Sequence, residues 1–190
     1  MKTIRCIPAG LILGLLAAAI AAAQTTPAPP VQVLMKTSKG DITVELYPDK
    51  APLTVKNFLA YVDAQFYDNT IFHRVWSGFM IQAGGMSAAL TEKPGRPPIK
   101  NESGNGLRNE RGAIAMGRTD ELDSATSHFF INHVDNFSLD RAKYAVFGKV
   151  IAGLDVVDAI AAVPVATIKG YEKVPRQAIT ILSIRRVPAK

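Results

Sequence analysis

One stretch of sequence decides the fold, residues 72–85: Phe72-His73-Arg74-Val75-Trp76-Ser77-Gly78-Phe79-Met80-Ile81-Gln82-Ala83-Gly84-Gly85. Two strand-like runs, residues 71–76 and 79–83, are joined across Ser77 and Gly78, and two glycines end the second run. Because side chains alternate between the two faces of a strand, Arg74 shares a face with the residues two positions away. If the two strands are neighbours, its guanidinium lies beside Phe79, Met80 and the Gln82 amide. The stretch therefore predicts an apolar pocket with one fixed cation, and the alternative is a solvated arginine on an ordinary core strand.

Short strands flank this stretch on both sides. Alternating apolar residues predict a hairpin of residues 31–37 and 41–46, and further strands at residues 113–116, 127–132, 145–150 and 179–185. Helical spacing predicts two helices, over residues 51–66 and 154–162. Residues 86–112 are rich in proline, glycine and charge, which predicts a long surface loop with a binding role. Many short strands with only two helices predict a mainly β protein, an antiparallel β-barrel whose closure removes free sheet edges.

The N-terminus is typical of a secretory signal peptide. Lys2 and Arg5 precede an apolar run that ends in three alanines, so we expect residues 1–23 to be removed. Residues 24–30 form a Pro/Thr-rich leader, and residues 31–190 form one domain. The alternative is an uncleaved membrane anchor, but Pro8 and Gly10 make that run a poor span. We therefore expect a periplasmic protein with no stable membrane span after cleavage.

Composition excludes several classes of protein. With 48% hydrophobic and 20% charged residues, the chain is neither disordered nor collagenous. Loss of residues 1–23 removes two basic and no acidic residues, which lowers the net charge from +6 to +4, and export further disfavours a nucleic-acid partner. The single cysteine, Cys6, lies in the removed segment. A disulfide framework, a thiolate nucleophile and a Cys-ligated zinc are thereby excluded.

The chain resembles a known family. Residues 72–85 are similar to the signature of the cyclophilin-type peptidyl-prolyl cis-trans isomerases, and residues 112–116, 127–132 and 144–150 resemble the rest of it in order and spacing. The resemblance extends from Val31 to about Val187. The Ser124-Ala125-Thr126-Ser127 run, together with the signal peptide, is similar to the bacterial periplasmic branch.

The resemblance implies a closed eight-stranded barrel capped by two helices, and an enzyme that assists the folding of exported proteins by rotating X-Pro bonds. It implies that Arg74 is catalytic and that no cofactor or metal is needed. The implied substrate-binding residues form the walls of the proline pocket, orient the arginine, or pair with the bound peptide: Phe79, Met80, Gln82, Gly117, Arg118, His128, Phe130, Leu139 and Tyr144. The expected partners are unfolded or partly folded polypeptides that contain proline, and we expect a monomer.

Three positions depart from the family pattern. His128 replaces the usual glutamine, Ser138 replaces a large aromatic residue beside the pocket, and Tyr144 replaces a histidine. Phe137 is a candidate to compensate for Ser138, but the loss predicts weak binding of cyclosporin, the family's cyclic-peptide ligand. Protonation of His128 would place a second cation beside Arg74, so we expect activity to fall in mildly acid solution.

Other classes of function remain as alternatives. Ser127 and His128 suggest a serine hydrolase, but adjacent strand residues point to opposite faces and no nucleophile elbow is present. A metal site from His73, His128 and His133 lacks a ligand spacing. The stronger rival is a proline-binding module or holdase chaperone that grips clients without relying on turnover.

Overall fold

The computed structural model describes residues 30–188. The predicted signal peptide, and the leader up to residue 29, lie outside the described residues. Within the described part, no helix has the length and apolar character needed to cross a membrane.

The chain forms eleven strands and three helices across the described residues. The strands are β1 (Val31–Thr37), β2 (Gly40–Leu46), β3 (Thr70–Ile71), β4 (Arg74–Trp76), β5 (Met80–Ala83), β6 (Ala113–Met116), β7 (Phe129–Asn132), β8 (Val146–Ala152), β9 (Val165–Ile168), β10 (Tyr171–Pro175) and β11 (Thr180–Arg186). The helices are α1 (Pro52–Asp63), α2 (Phe137–Arg141) and α3 (Leu154–Ala161).

Nine strands form one curled antiparallel sheet, in the order β3-β11-β1-β2-β8-β6-β7-β5-β4. Its two end strands, β3 and β4, are consecutive in the chain and separated only by Phe72 and His73. At this break the Phe72 amide donates to the Ile179 carbonyl at 2.9 Å. The predicted mainly β architecture is confirmed, but the predicted closed eight-stranded barrel is corrected to a curled nine-stranded sheet that forms a half-barrel. The predicted single strand over residues 71–76 is interrupted, and its two parts, β3 and β4, lie at opposite ends of the strand order and do not pair with each other.

The hairpin of β9 and β10 and the helix α2 were not predicted. The hairpin is a separate two-stranded sheet in which only Val174 and Pro175 are buried, so it lacks the apolar alternation that indicates a strand. Its turn, Lys169-Gly170, has positive φ at both positions (50° and 84°), which matches the backbone of a tight hairpin turn. Helix α2 has only five residues, too few to show a helical period. The cap of two helices is thus corrected to three helices.

The first helix is shorter than predicted, and the long loop of residues 86–112 caps its N-terminus. Helix α1 ends at Asp63, and Gln65 adopts a left-handed φ of 54°. No side chain within the helix caps its N-terminus. Instead, the carboxylate of Glu102 accepts hydrogen bonds from the backbone amides of Leu53 (3.0 Å) and Thr54 (2.8 Å). A carboxylate at that end also complements the helix dipole, so residues 86–112 help to fix α1.

The strands around residues 72–85 are buried on both faces. Ile81, Ile114 and Ile131 point into the main core, which also contains Phe58 of α1. The alternate residues on the opposite face form a second apolar cluster, which consists of Met80, Ala113, Ala115, Phe130 and Val146. This second cluster lies outside the main core and forms the apolar floor of the candidate site.

Buried asparagines hold α2 against this floor. Asn132 of β7 donates to the side-chain oxygen of Asn109 at 3.1 Å. Asn136, directly before α2, donates at 2.8 Å to both the Asn132 side chain and the Phe79 carbonyl. Asn109 donates through its backbone and side-chain nitrogens to Asp140 of α2, each at 2.8 Å. The network therefore fixes α2, β5 and the long loop relative to β7.

Replacing Asn132 by leucine, which has nearly the same shape, should destabilise the fold. Asn132 is fully buried, so the variant leaves its buried partners without a hydrogen bond, at a cost of about 1 to 3 kcal/mol for each unsatisfied group. Urea unfolding followed by circular dichroism measures the change in the free energy of unfolding. The exposed amide variant Gln177→Leu serves as the control, and a variant Asn132→Leu as stable as that control would contradict the role of the network.

Candidate active site

Strand register brings the predicted residues into one row. Arg74 of β4 is directly opposite Gln82 of β5, Gln82 is opposite Phe130 of β7, and Phe130 is opposite Ala115 of β6. The condition that the two strands of residues 72–85 are neighbours is therefore met. Because these residues share the face of the second apolar cluster, the cation and the amide lie beside an apolar surface.

The row opens into a cavity of about 140 Å³. Its lining contains nine of the ten residues that the sequence predicts for the site: Arg74, Phe79, Met80, Gln82, Gly117, Arg118, Phe130, Leu139 and Tyr144. The tenth, His128, lies beside the cavity and lines two adjoining ones that also contain Gln82. A larger cavity of about 600 Å³ lies near Tyr47 and Arg108 and contains none of the predicted residues.

The floor of the 140 Å³ cavity is apolar and fixed. Met80 and Phe130 are 3% and 4% exposed. The Tyr144 ring meets the Phe130 ring edge-on, with centroids 5.7 Å apart, and Phe79 and Leu139 pack against the same cluster. Such a cavity suits a small apolar ring, held by walls that come from three separate parts of the chain.

The guanidinium of Arg74 is free to meet a ligand. Arg74 is half-buried, and its guanidinium makes neither a hydrogen bond nor an ion pair with any residue between 30 and 188. Within the same range, no hydrogen bond joins the guanidinium to the Gln82 side-chain amide, although the two residues are opposite each other. The guanidinium lies near the Trp76 ring, whose centroid is 5.5 Å from Cζ. All five guanidinium N–H donors are therefore available at the edge of the cavity.

Arg118 and Gly117 contribute in different ways. The Arg118 guanidinium donates to the Ala142 and Thr119 carbonyls and lies 4.7 Å from the centroid of the Tyr144 ring. Its side chain therefore braces the wall of the cavity. At Gly117, a Cβ atom would lie 3.3 Å from the Gln82 side-chain nitrogen. The absence of a side chain at position 117 keeps the space beside that amide open.

His128 belongs to a small polar cluster next to Arg74. Its Nε2 lies 3.0 Å from a Glu92 carboxylate oxygen, and its ring meets the His73 ring with centroids 5.1 Å apart. Burial lowers the pKa of His73 to about 4, and the charges of His128 and Arg74 act in the same direction. Glu92 comes from the long loop, and the sequence pattern offered no indication that it would reach His128.

The alternative chemistries find no support in the described residues. His133 lies apart from His73 and His128, since its Nδ1 accepts a hydrogen bond from the Gly78 amide at 3.0 Å. No group of three potential metal ligands converges anywhere within residues 30–188. Ser127, the nucleophile of the hydrolase hypothesis, is only 1% exposed.

Position 138 leaves the cavity without an aromatic wall from α2. Ser138 does not line the cavity, whereas Leu139 does. The Phe137 ring instead stacks with Arg108, whose Cζ lies 3.8 Å from its centroid, and it lines a neighbouring cavity. Phe137 therefore does not replace the missing aromatic side chain, as the sequence suggested that it could.

Comparisons with known proteins agree with this site. The family model described as cyclophilin type peptidyl-prolyl cis-trans isomerase/CLD matches residues 32–186. A peptidyl-prolyl cis-trans isomerase of Acinetobacter baylyi is 51% identical over 176 residues, which cover 90% of each chain. Peptidyl-prolyl cis-trans isomerase A of Dickeya dadantii is 49% identical, and the match covers 92% of each chain. The crystal structure of a cyclophilin type isomerase of Cryptosporidium parvum, in the presence of the dipeptide Ala-Pro, matches with a TM-score of 0.74 at 29% identity, covering 83% of this chain and 99% of that one.

The buried His73 should make stability depend on pH. Its pKa of about 4 in the folded state is below the value of about 6.5 for an unfolded chain, so the unfolded state binds the proton first as the pH falls. Stability is therefore lost between about pH 6.5 and pH 4, by about 3 kcal/mol in total. Urea unfolding at several pH values measures this loss. The variant His73→Leu should lack that part of the slope, and an unchanged slope would contradict the assignment.

Proposed function

The chain belongs to the cyclophilin-type peptidyl-prolyl cis-trans isomerase family, and we propose that it rotates X-Pro bonds at the cavity beside Arg74, in exported proteins that are still folding. The observation that carries the proposal is the unpaired guanidinium of Arg74 at the edge of an apolar cavity with Phe130 at its floor. Matches over residues 32–186 and to isomerases of two bacteria support the activity itself.

The chemical problem is a rotation that amide resonance opposes. The C–N bond of a peptide has partial double-bond character, with a rotation barrier of about 18 to 20 kcal/mol, and the prolyl bond takes tens of seconds or more to exchange. In the twisted state the resonance is lost and the imide nitrogen regains a lone pair. A catalyst therefore needs a group that stabilises this lone pair but does not stabilise the planar ground state.

Arg74 supplies such a group. In the proposed complex its free N–H donors lie beside the cavity and donate a hydrogen bond to the imide nitrogen, which accepts it only when the bond is twisted. This interaction is stronger in the transition state than in the ground state, which is the requirement for faster turnover. A hydrogen bond to a charged group contributes about 1.5 to 3 kcal/mol, which corresponds to one or two powers of ten in rate.

The walls hold the ring while the preceding carbonyl turns. Met80 and Phe130 form the fixed floor for the pyrrolidine ring, and Phe79, Leu139 and Tyr144 surround it. The backbone around Gly117 and Arg118 pairs with the bound peptide, since no residue of the described chain accepts a hydrogen bond from the Arg118 amide. Positioning of this kind removes unproductive orientations before rotation begins. No general base, nucleophile or metal enters the step.

The sequence outside the described residues supports an exported protein. The charged and apolar pattern of residues 1–23 is that of a cleavable signal peptide, so we place the protein in the periplasm. We also propose that it acts as a monomer on unfolded or partly folded polypeptides that contain proline. The absence of an aromatic wall at Ser138 supports weak binding of cyclosporin.

Loss of Arg74 should abolish most of the activity. The variant Arg74→Ala should lower kcat/KM for a short X-Pro peptide by about ten- to hundred-fold, because the hydrogen bond to the twisted imide is lost. A protease-coupled or NMR exchange assay measures the rate, with the exposed Arg176→Ala as the matched control. A folded Arg74→Ala that keeps the parent's rate would refute this role, and a folded parent that binds the peptide without turnover would indicate a proline-binding module.

A permanent positive charge at position 128 should lower the activity. The His128 ring meets His73, and it lines a cavity together with Arg74 and with the carboxylates of Glu92 and Glu172. We expect His128→Lys, which places a second cation beside Arg74, to lower kcat/KM relative to His128→Gln, because like charges repel. Equal rates for the two variants would contradict the hypothesis.

A further inference from the structure

Trp76 lies next to the proposed site, but it does not line the cavity. It is in β4, two residues after Arg74 and therefore on the same face of the strand. Its side chain is 42% exposed, so it contributes little to either apolar cluster. It is also the only tryptophan among the 190 residues. A large exposed aromatic side chain beside a reactive cation calls for an explanation.

Three side chains converge on the Trp76 indole. The Cζ atom of Arg74 lies 5.5 Å from the ring centroid, and the Nζ atom of Lys173 lies 5.4 Å from it. The Phe79 ring, which lines the cavity, meets the indole edge-on with centroids 5.4 Å apart. The indole is thus in contact with the proposed catalytic cation, with a second cation and with a wall of the cavity at the same time.

We propose that Trp76 is a positioning residue for the isomerase reaction, whose indole holds the Arg74 guanidinium at the edge of the cavity. This inference rests on the proposed function, because it concerns the orientation of the arginine to which that function assigns the chemistry. The face of an indole attracts a guanidinium electrostatically. Unlike a carboxylate partner, it does so without occupying the N–H donors that the twisted imide needs.

The geometry leaves few other means of orienting Arg74. The Gln82 amide is opposite it but is not hydrogen-bonded to it, and no other described residue accepts its N–H groups. Strand β4 is at the end of the nine-stranded sheet, so it is hydrogen-bonded to a neighbouring strand on one side only. A long arginine side chain at such an edge has many rotamers, and each unproductive rotamer lowers the fraction of enzyme that is ready to react.

The β9–β10 hairpin supports the indole from the other side of β4. Strand β10 packs against β4, and its Lys173 is the second cation at the Trp76 ring. Because Lys173 and Arg74 carry the same charge, Lys173 disfavours rotamers that bring the guanidinium toward the Lys173 ammonium. Glu172 of the same strand lines a cavity together with Arg74, but within residues 30–188 it forms no ion pair with it. The indole is therefore the contact that holds the guanidinium.

Two substitutions separate the electrostatic role from simple packing. Trp76→Phe keeps an aromatic face, whereas Trp76→Leu keeps apolar bulk but has no aromatic face. We expect Trp76→Leu to lower kcat by about two- to five-fold, the fold-change that matches an exposed cation–π contact, with KM unchanged. Trp76→Phe should restore most of kcat. Leu182→Ala, which removes another exposed apolar side chain from a strand, is the matched control and should behave as the parent.

Other kinetic outcomes would overturn the inference. A higher KM with unchanged kcat would mean that the indole binds the peptide, and equal rates for the Leu and Phe variants would mean that only bulk matters. A parent-like Trp76→Leu in the same assay that shows Arg74→Ala to be inactive would refute the role of Trp76 and leave the proposed function standing. A fully active Arg74→Ala would instead remove the proposed function and this inference together.

Fluorescence tests the contact without any turnover. Because Trp76 is the only tryptophan, the emission reports on this indole alone when the excitation wavelength is one that tyrosine does not absorb. Arg74→Leu should shift or brighten the emission relative to the parent, since the adjacent cation is removed. Arg176→Leu should not, because Arg74 and Lys173 are the cations that lie over the indole in the described chain. Identical spectra for Arg74→Leu and the parent would contradict the contact on which the proposal depends.

Discussion

The register of four antiparallel strands is the constraint on which the site depends. Pairing of β4 with β5, β5 with β7, and β7 with β6 places Arg74, Gln82, Phe130 and Ala115 in one row. A slip of one residue in any pair would turn that strand's set of side chains to the other face. The slip is opposed because both faces are apolar: one fills the barrel core and the other forms the floor of the cavity. The cation is therefore placed by the packing of its neighbours.

The rest of the cavity depends on contacts between parts of the chain that are far apart in sequence. The buried asparagines at positions 109, 132 and 136 connect the long loop, β7 and the start of α2, and so place Leu139 at the cavity. Glu102 of the same loop caps α1, and Glu92 reaches His128. The loop of residues 86–112 thus acts as a structural support for the site. Its irregular backbone suits this role, because several of its amides, among them those of Arg96, Asn101 and Asn109, donate to side chains outside the loop.

Strand alternation and helical spacing in the sequence were sufficient to predict the hairpin of β1 and β2 and the two longer helices. Alternation placed Arg74 beside Gln82 only on the condition that their strands are neighbours, and Phe130 was predicted only from the family resemblance. These patterns failed where an element is short or exposed, as in α2 and in the β9–β10 hairpin, because few buried residues leave no period to detect. The break at Phe72-His73 depends on a partner, Ile179, that is more than a hundred residues away. Glu92, Lys173 and the direction of the Phe137 ring could not be predicted for the same reason: tertiary contacts decide them.

The two sides of the cavity differ in a way that suits a catalyst. On the α2 side, Ser138 contributes nothing and Phe137 stacks with Arg108, so the wall there is Leu139. On the β4 side, Phe79 is packed against the Trp76 indole, which also contacts Arg74. Less apolar area on the first side weakens the binding of the planar and twisted states alike, which affects KM and leaves kcat unchanged. In the proposed mechanism the imide lone pair develops on the β4 side, so the contacts proposed to favour the twisted state are separate from the α2-side wall that bears on general affinity for peptides.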